Sequence, residues 1–383
     1  MSYVCPRCGN SDERYIGYFK NKPYCRLCLS FQGKSVENDI CITKDIELTL
    51  DYPLSEKQKE CSNNVLNALN MNRNVLIHAV TGAGKTELVY HSMHKYLKDG
   101  KKVGFATPRK DVVIDLAPRI KEAFKNAKVV SVYGEHGQII SGDIIVLTTH
   151  QLYRYPNYFD LLILDEIDAF PYKGNKLLFS FFRKSVKGNY VLLSATPSND
   201  DINKVKNDNG IIITLFERYH KHDLIVPAFI QANKYKQFFL ILRYLLKFIK
   251  EKKPVFIFTP TISEGKKLFF FLSLFFQNGS FVSSKEENRS IDISRIKNNM
   301  YDYLVTTSIL ERGVTLKNLQ VIVYNAGSYI YSAEALIQIA GRVGRKIDAT
   351  CGDVYFLSDE ETPSIKDAIK TIKLCNLKKN NSN

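Results

Sequence analysis

The residues best suited to chemistry lie in a glycine-rich stretch, Ala79-Val-Thr-Gly-Ala-Gly-Lys-Thr, between an apolar segment and a helical pattern from about Glu87. Glycines at positions 82 and 84 let backbone N–H groups turn towards a phosphate, the usual role of a loop between strand and helix. In that setting Lys85 contacts the terminal phosphates and Thr86 ligates Mg²⁺. The stretch therefore predicts a nucleoside triphosphate site. Its predicted ligands are Thr81, Gly82, Ala83, Gly84, Lys85 and Thr86.

Three carboxylates, Asp165, Glu166 and Asp168, follow an apolar stretch at residues 159–164. An aspartate at the end of a strand is where a nucleotide-driven motor holds Mg²⁺, and the next carboxylate orients the attacking water. We therefore predict Asp165 as the Mg²⁺ ligand and Glu166 as the residue that orients water. A solvated acidic turn explains the carboxylates alone equally well, but the accompanying phosphate loop favours the catalytic interpretation.

A third set of polar residues, Gln338, Gly341, Arg342 and Arg345, is spaced i, i+3, i+4 and i+7. On a helix these positions share one face, so the spacing predicts two guanidinium groups that reach the γ-phosphate together. A surface arginine pair on an amphipathic helix is the alternative. The glycines in this stretch weaken a helix and permit close approach, which favours the catalytic interpretation.

Four cysteines near the N-terminus form two Cys-x-x-Cys pairs, Cys5 with Cys8 and Cys25 with Cys28, separated by sixteen residues. This is the spacing of a zinc ribbon, in which four thiolates close a tetrahedral structural site. Basic and aromatic residues between the pairs suit single-stranded nucleic acid, but an ordinary solvated hairpin explains them equally well. The remaining cysteines are expected to pack as small apolar residues. They are Cys41, Cys61, Cys351 and Cys375.

Composition and charge place limits on the class of protein. The chain has 383 residues, typical of two or three domains, and 45% of them are hydrophobic, enough for a globular core. A formal net charge of +15 favours a polyanionic partner such as nucleic acid. Residues 1–10 are polar, without a secretory signal, and the longest apolar run is too short to span a bilayer. We therefore expect a cytoplasmic protein.

Apolar strands alternate with amphipathic helical patterns in two successive parts of the chain, which predicts an α/β fold with two parallel sheets. We predict a zinc-ribbon module over residues 1–48, a first lobe over 49–220 and a second lobe over 221–383. Strands are predicted at residues 74–79, 102–107, 144–148, 161–165 and 190–194, then at 255–259, 303–307, 321–325 and 353–357.

Together the motifs resemble those of superfamily 2 helicases and follow that family's order over roughly residues 50–345. The stretches that match are residues 79–86, 165–168, 194–196 and 338–345. The resemblance implies two RecA-like lobes that hydrolyse ATP in the cleft between them, with Gln338, Arg342 and Arg345 as catalytic residues of the second lobe. It also implies nucleotide contacts from Gln58 and Gly313. Its nucleic-acid contacts fall on Thr107, Arg109, Thr148, Thr261 and Thr306.

Residues 165–172, Asp-Glu-Ile-Asp-Ala-Phe-Pro-Tyr, depart from the DEAD-box and DEAH-box patterns and resemble the bacterial competence ATPase family ComFA. That family also carries a four-cysteine element ahead of its motor. The resemblance implies a single-stranded DNA translocase peripheral to the cytoplasmic face of the membrane, with ComFC and the membrane DNA-uptake channel as partners. Two alternatives stay open, a duplex-unwinding helicase similar to PriA and a non-enzymatic zinc-ribbon adaptor.

Overall fold

A computed structural model describes residues 3–31, 33–36, 45–134, 139–283, 289–307 and 316–380. The chain forms two compact units, one of residues 1–79 and 84–215 and the other of residues 80–83 and 216–383. The N-terminal cysteines therefore belong to the first unit. The three-part division at residues 48 and 220 stays a prediction.

The first unit contains a seven-stranded sheet whose strands all run parallel, in the order β11-β4-β10-β9-β5-β8-β7. Two small antiparallel pairs, β1–β2 and β3–β6, lie outside this sheet. The strands of the unit are β1 (Ile16–Phe19), β2 (Lys22–Cys25), β3 (Glu47–Leu48), β4 (Asn74–Ala79), β5 (Val103–Thr107), β6 (Phe124–Lys125), β7 (Val129–Val132), β8 (Ile144–Thr148), β9 (Phe159–Leu164), β10 (Val186–Ser194) and β11 (Gly210–Leu215). Its helices are α1 (Glu56–Asn70), α2 (Lys85–Leu88), α3 (Tyr90–Lys98), α4 (Lys110–Ala123), α5 (Lys176–Ser185) and α6 (Asn199–Asn207). Three short 3-10 helices span Glu13–Tyr15, Arg26–Cys28 and Thr149–Arg154.

The second unit contains a six-stranded parallel sheet in the order β12-β17-β16-β13-β15-β14. Its strands are β12 (Ala228–Gln231), β13 (Val255–Phe258), β14 (Gly279–Val282), β15 (Tyr303–Thr306), β16 (Gln320–Val323) and β17 (Val354–Ser358). Its helices are α7 (Lys234–Lys250), α8 (Ile262–Ser273), α9 (Arg289–Lys297), α10 (Ala333–Ala340) and α11 (Pro363–Asn380).

The predicted α/β class and the two parallel sheets are confirmed. Strands such as β5 and β8 are buried along their whole length, because helical connections return over the faces of the sheet. Their sequences are accordingly continuous apolar runs rather than alternating ones. The predicted strands agree with the observed ones, although β10 begins earlier than expected, at Val186. The sequence does not predict β7 or β11, which lie at the two edges of the first sheet.

The N-terminal module packs onto the first sheet through α5. The antiparallel hairpin β1–β2 lies between the two cysteine pairs. All four cysteines are part of the same hydrophobic cluster as Leu162, Phe181 and Phe182. Lys184 on α5 donates a hydrogen bond of 2.6 Å to the carbonyl oxygen of Pro6, and Ser180 donates one to the carbonyl of Cys8. The module is thus an integral part of the first unit's core.

Among the residues that the structure describes, no helix is both long enough and apolar enough to cross a bilayer.

Candidate functional site

The first sheet brings the motif-bearing loops to one edge. Because its strands are parallel, the carboxyl ends of β4, β10, β9, β5 and β8 lie side by side in that order. The loops after them begin at residues 80, 195, 165, 108 and 149. Ligands of open α/β sheets bind outside the carboxyl ends of the strands. Along this edge, the phosphate loop and the acidic motif therefore lie towards β4, and the predicted nucleic-acid motifs lie towards β8.

The phosphate loop has a backbone that requires its glycines. Gly82 and Gly84 have φ values of 83° and 74°, in the left-handed region where a side chain is strained. A Cβ at Gly84 would lie 2.6 Å from the Gln58 Nε2 atom, so the loop is also closely packed there. Lys85 Nζ donates a hydrogen bond of 3.2 Å to the carbonyl of Ala79 at the end of β4. This backbone fits a nucleotide phosphate, because Gly82 and Gly84 have no side chain that would keep a phosphate away from the backbone N–H groups.

Gln58, the predicted contact to the base of the nucleotide, is 1% exposed and lies in the first turn of α1. Its Oε1 accepts a hydrogen bond of 2.9 Å from the backbone N–H of Ser55, and its own N–H donates to Ser55 Oγ, which forms a capping box. The side chain therefore joins the start of α1 to the phosphate loop at Gly84. Its contact with nucleotide stays a prediction.

The acidic motif is held by hydroxyl groups from the neighbouring strand. Asp168 accepts hydrogen bonds of 3.1 Å from Oγ of Ser194, the last residue of β10, and of 2.9 Å from Oγ1 of Thr196, just after that strand. Asp165 Oδ1 accepts a hydrogen bond of 2.8 Å from the Glu166 N–H. Glu166 has a φ of 57°, and non-glycine residues in this region are concentrated at functional sites. Asp168 thus connects the motif at 165–168 to that at 194–196.

The second lobe contradicts one part of the helical prediction. α10 ends at Ala340, and Gly344 has a φ of 67°, so Arg342 and Arg345 lie in a turn rather than on one helical face. Gly341 caps the helix, and its carbonyl accepts a hydrogen bond of 2.8 Å from Arg345 Nε. Gln338 and Arg342 are buried. The prediction was wrong because a 3.6-residue spacing does not show where a helix ends. Gly344, the second glycine of this stretch, adopts the left-handed backbone conformation common just after a helix.

Arg218 is a buried residue at this turn that the motif analysis missed. Its guanidinium donates hydrogen bonds to the carbonyls of Val343 at 2.9 Å, Gly344 at 2.7 Å and Gly341 at 3.2 Å. Burial, with a smaller contribution from repulsion by Arg345, lowers the pKa of Arg218 to about 9. Arg218 therefore stabilises the backbone that carries both predicted arginine fingers. Its sequence neighbours carry no spacing signal that predicts this role.

The predicted nucleic-acid residues differ in their exposure. Thr107, Thr148 and Thr306 are buried at the ends of their strands. Arg109 and Thr261 are partly exposed and occupy the N-cap positions of α4 and α8, where the Thr261 side chain accepts a capping hydrogen bond from the Glu264 N–H. A nucleic acid at the carboxyl ends of these strands would thus contact backbone N–H groups and helix N-termini more readily than the three buried hydroxyls. The five contacts stay predictions, and Gly313 lies outside the described residues.

The four N-terminal cysteines form one cluster whose sulfur atoms all lie within 4.8 Å of one another. Cys5 Sγ is 3.8 Å from Cys28 Sγ, and Cys8 Sγ is 3.7 Å from Cys25 Sγ. Four thiolates about 2.3 Å from a tetrahedral Zn²⁺ would be separated by about 3.8 Å. Burial raises the pKa of Cys8 and Cys28. It also opposes ionisation of Cys5, yet hydrogen bonds from the backbone N–H groups of Cys8 and Arg7 lower the pKa of Cys5 to about 7. Because these directions differ, the fit to a metal rests on the sulfur geometry. The cluster therefore fits Zn²⁺.

The other cysteines behave as predicted in two cases. Cys61 and Cys375 are buried as small apolar residues. Cys351 contradicts the prediction because it is exposed, and Cys41 lies outside the described residues.

Comparison with known proteins identifies both lobes. Residues 51–199 match the family model of the Type III restriction enzyme res subunit, and residues 238–346 match the helicase conserved C-terminal domain. Competence protein ComFA of Bacillus subtilis is 35% identical over 98% of this chain and 86% of its own length. ComFA of Streptococcus pneumoniae is 34% identical over 97% of this chain and 90% of its own length. Saccharomyces cerevisiae Dbp5, in a structure with RNA and ADP BeF3, shares the fold. Its TM-score is 0.66 at 18% identity, over 83% of this chain and 87% of Dbp5.

The cysteine cluster generates a metal prediction. Protein purified without chelator should contain one Zn²⁺ per chain, and the double variant C5S/C8S should contain none, because two ligands cannot hold a structural zinc ion. C351S is the matched control, since Cys351 is exposed and outside the cluster, and it should retain the metal. Elemental analysis of the three proteins checks this. Wild-type protein without zinc would contradict the assignment.

Proposed function

Because the chain belongs to the ComFA family of competence proteins, within the superfamily 2 helicases, we propose that it is an ATP-driven translocase that moves single-stranded DNA during bacterial DNA uptake. One structural observation supports this proposal most strongly. The strands β4, β10, β9, β5 and β8 are parallel neighbours in that order, so the segments that follow them, which are predicted to bind phosphate, Mg²⁺ and nucleic acid, begin along the same edge. In that arrangement, ATP hydrolysis at one end of this edge can change how the protein contacts DNA at the other end.

In the proposed reaction, Lys85 binds the terminal phosphates of ATP, and Thr86 and Asp165 hold Mg²⁺. When bound, Mg²⁺ neutralises charge on the phosphates. Glu166 orients water for attack on the γ-phosphorus. Arg342 and Arg345 stabilise charge on the transferred group from the turn that Arg218 holds. Gln338 precedes them at the end of α10.

Asp168 has a different role in this proposal. Its two hydrogen bonds with Ser194 and Thr196 give the acidic motif a direct connection to the end of β10. A change in the position of Asp165 and Glu166 after hydrolysis would therefore move the 194–196 segment with it. This provides a physical route from phosphate release to the rest of the lobe.

The proposed partners follow from charge and from the family. The net charge of +15 favours a nucleic acid as the cargo, and the resemblance to ComFA implies single-stranded DNA. By family resemblance, ComFC and the membrane DNA-uptake channel are the expected protein partners, at the cytoplasmic face of the membrane. Zn²⁺ has a structural role in this proposal, because its four sulfur ligands leave no open position for catalysis.

The phosphate-loop assignment predicts that Lys85→Ala removes nearly all ATP turnover while the fold is retained. Loss of the γ-phosphate contact should cost several kcal/mol of transition-state stabilisation, and about 1.4 kcal/mol corresponds to tenfold in rate. Lys98→Ala, an exposed lysine of α3, is the matched control and should turn over ATP normally. Steady-state ATPase rates with a circular dichroism check measure this. A folded Lys85→Ala protein with the wild-type rate would refute the site.

The proposed cargo predicts that single-stranded DNA stimulates ATP turnover more than blunt duplex DNA does, with little dependence on base sequence. Binding should weaken with salt at a slope of about −0.7 per phosphate neutralised. The measurement is ATP turnover with matched concentrations of single-stranded DNA, duplex DNA and RNA at two salt levels. Stimulation by RNA alone would contradict a DNA cargo, and stimulation by none of the three would favour an adaptor. Efficient strand displacement on forked DNA would favour a duplex-unwinding helicase instead.

A further inference from the structure

The chain immediately after the last cysteine of the cluster packs against the segment that follows β8. That segment is the 3-10 helix Thr149–Arg154, which begins directly after Thr148 at the edge proposed to contact DNA. The packing residues are Phe31 and residues 33–36. No motif of the helicase family accounts for this contact, and neither the phosphate loop nor the acidic motif takes part in it.

Phe31 is at the centre of the contact. Its ring lies 4.9 Å from the ring of Phe181 on α5 and 5.5 Å from that of Tyr153, both edge-to-face. It is also stacked at 6.3 Å, with an interplanar angle of 15°, on the ring of His150. Burial lowers the pKa of His150, so its imidazole is neutral at pH 7 and serves as a packing partner rather than as a phosphate-binding cation.

One backbone–backbone and one side-chain–backbone hydrogen bond extend the contact beyond the rings. The Val36 N–H donates to the carbonyl of Arg154 at 2.8 Å, and Arg154 Nε donates to the carbonyl of Lys34 at 3.1 Å. Directly before Lys34, a Cβ at Gly33 would lie 2.4 Å from the hydroxyl oxygen of Tyr153. The segment is therefore joined to the end of the 3-10 helix at two backbone positions and approaches its tyrosine closely.

The other side of the contact leads directly to the cysteine cluster. The Phe31 N–H donates to the carbonyl of Cys28 at 3.0 Å, and Arg7, between Cys5 and Cys8, donates to the carbonyl of Phe31. The Arg7 guanidinium also lies 5.3 Å from the ring centroid of Tyr153. The backbone of Phe31 is thus hydrogen-bonded on both of its polar groups to the cysteine cluster and to Arg7 within it.

We propose that Phe31 is a positioning residue through which the cysteine cluster holds the segment 149–154 in the conformation that grips single-stranded DNA. The N-terminal module then contributes to DNA affinity from inside the first lobe, without a DNA contact of its own. This inference rests on the proposed function, since it assumes that the edge after β8 contacts DNA.

The test compares Phe31→Ala and the milder Phe31→Leu with Tyr18→Ala, a matched control on the hairpin of the same module whose side chain is 70% exposed. For each full-length protein, zinc content, affinity for a fluorescent ATP analogue, basal ATPase rate and affinity for fluorescein-labelled oligo(dT) are measured. Phe31→Ala should retain zinc, nucleotide affinity and basal rate. It should bind oligo(dT) about tenfold more weakly, because the segment 149–154 loses the ring that packs against it and holds its conformation.

Two further readouts separate positioning from direct contact. The oligo(dT) concentration for half-maximal ATPase stimulation should rise with the maximal rate unchanged. The slope of log affinity against log salt should also stay at the wild-type value, because Phe31 neutralises no phosphate. Phe31→Leu should show a smaller loss of the same kind, which covers the case in which Phe31→Ala fails to fold.

Wild-type oligo(dT) affinity in folded, zinc-bound Phe31→Ala and Phe31→Leu would overturn the inference and leave the proposed function standing. An equal loss in Tyr18→Ala would also overturn it, because the hairpin surface would then contact DNA directly. Wild-type protein that neither binds oligo(dT) nor is stimulated by it would refute the proposed function itself.

Discussion

Parallel pairing of β4, β10, β9, β5 and β8 is the constraint on which the rest of the first lobe depends. In a parallel sheet all strands end at the same edge, and each return connection crosses a face of the sheet. Segments far apart in sequence, from residue 79 to residue 194, are therefore brought into one row. The order of strands sets the order of the motifs. Reversal of a single strand would remove its motif from the row.

Each parallel sheet brings its motif residues close together, and individual contacts of buried polar side chains then fix their positions. Asp168 is fixed by Ser194 and Thr196 across the boundary between β9 and β10. Gln58 connects the first turn of α1 to the phosphate loop. In the second lobe, Arg218 supports the turn after α10 through three backbone carbonyls. Each of these side chains is buried, where an unsatisfied polar group is costly, so each site has one strongly preferred arrangement.

Local signals in the sequence were sufficient for the chemistry and for the class of fold. The loop at residues 79–86, the cysteine spacing and the continuous apolar strands are short-range patterns with direct physical causes. The resemblance to ComFA, which rests on residues 165–172 and the four cysteines, is confirmed by the relatives. The sequence did not reveal the end of α10 before Arg342, because the helical spacing continued past a stop that Gly344 marks only weakly. It also did not reveal Arg218 or the contact of Phe31 with His150, because such contacts depend on tertiary packing between distant segments.

We propose that one edge of the first sheet binds nucleotide at one end and single-stranded DNA at the other. Hydrogen–deuterium exchange of the full chain, with a non-hydrolysable ATP analogue or with oligo(dT), tests this most directly, since bound ligands slow exchange of the amides they cover. The analogue should slow exchange at residues 79–88 and 165–168, and oligo(dT) should slow it at residues 107–110 and 148–154. Protection by oligo(dT) only at residues away from this edge, or unchanged exchange at residues 79–88 with the analogue, would contradict the account.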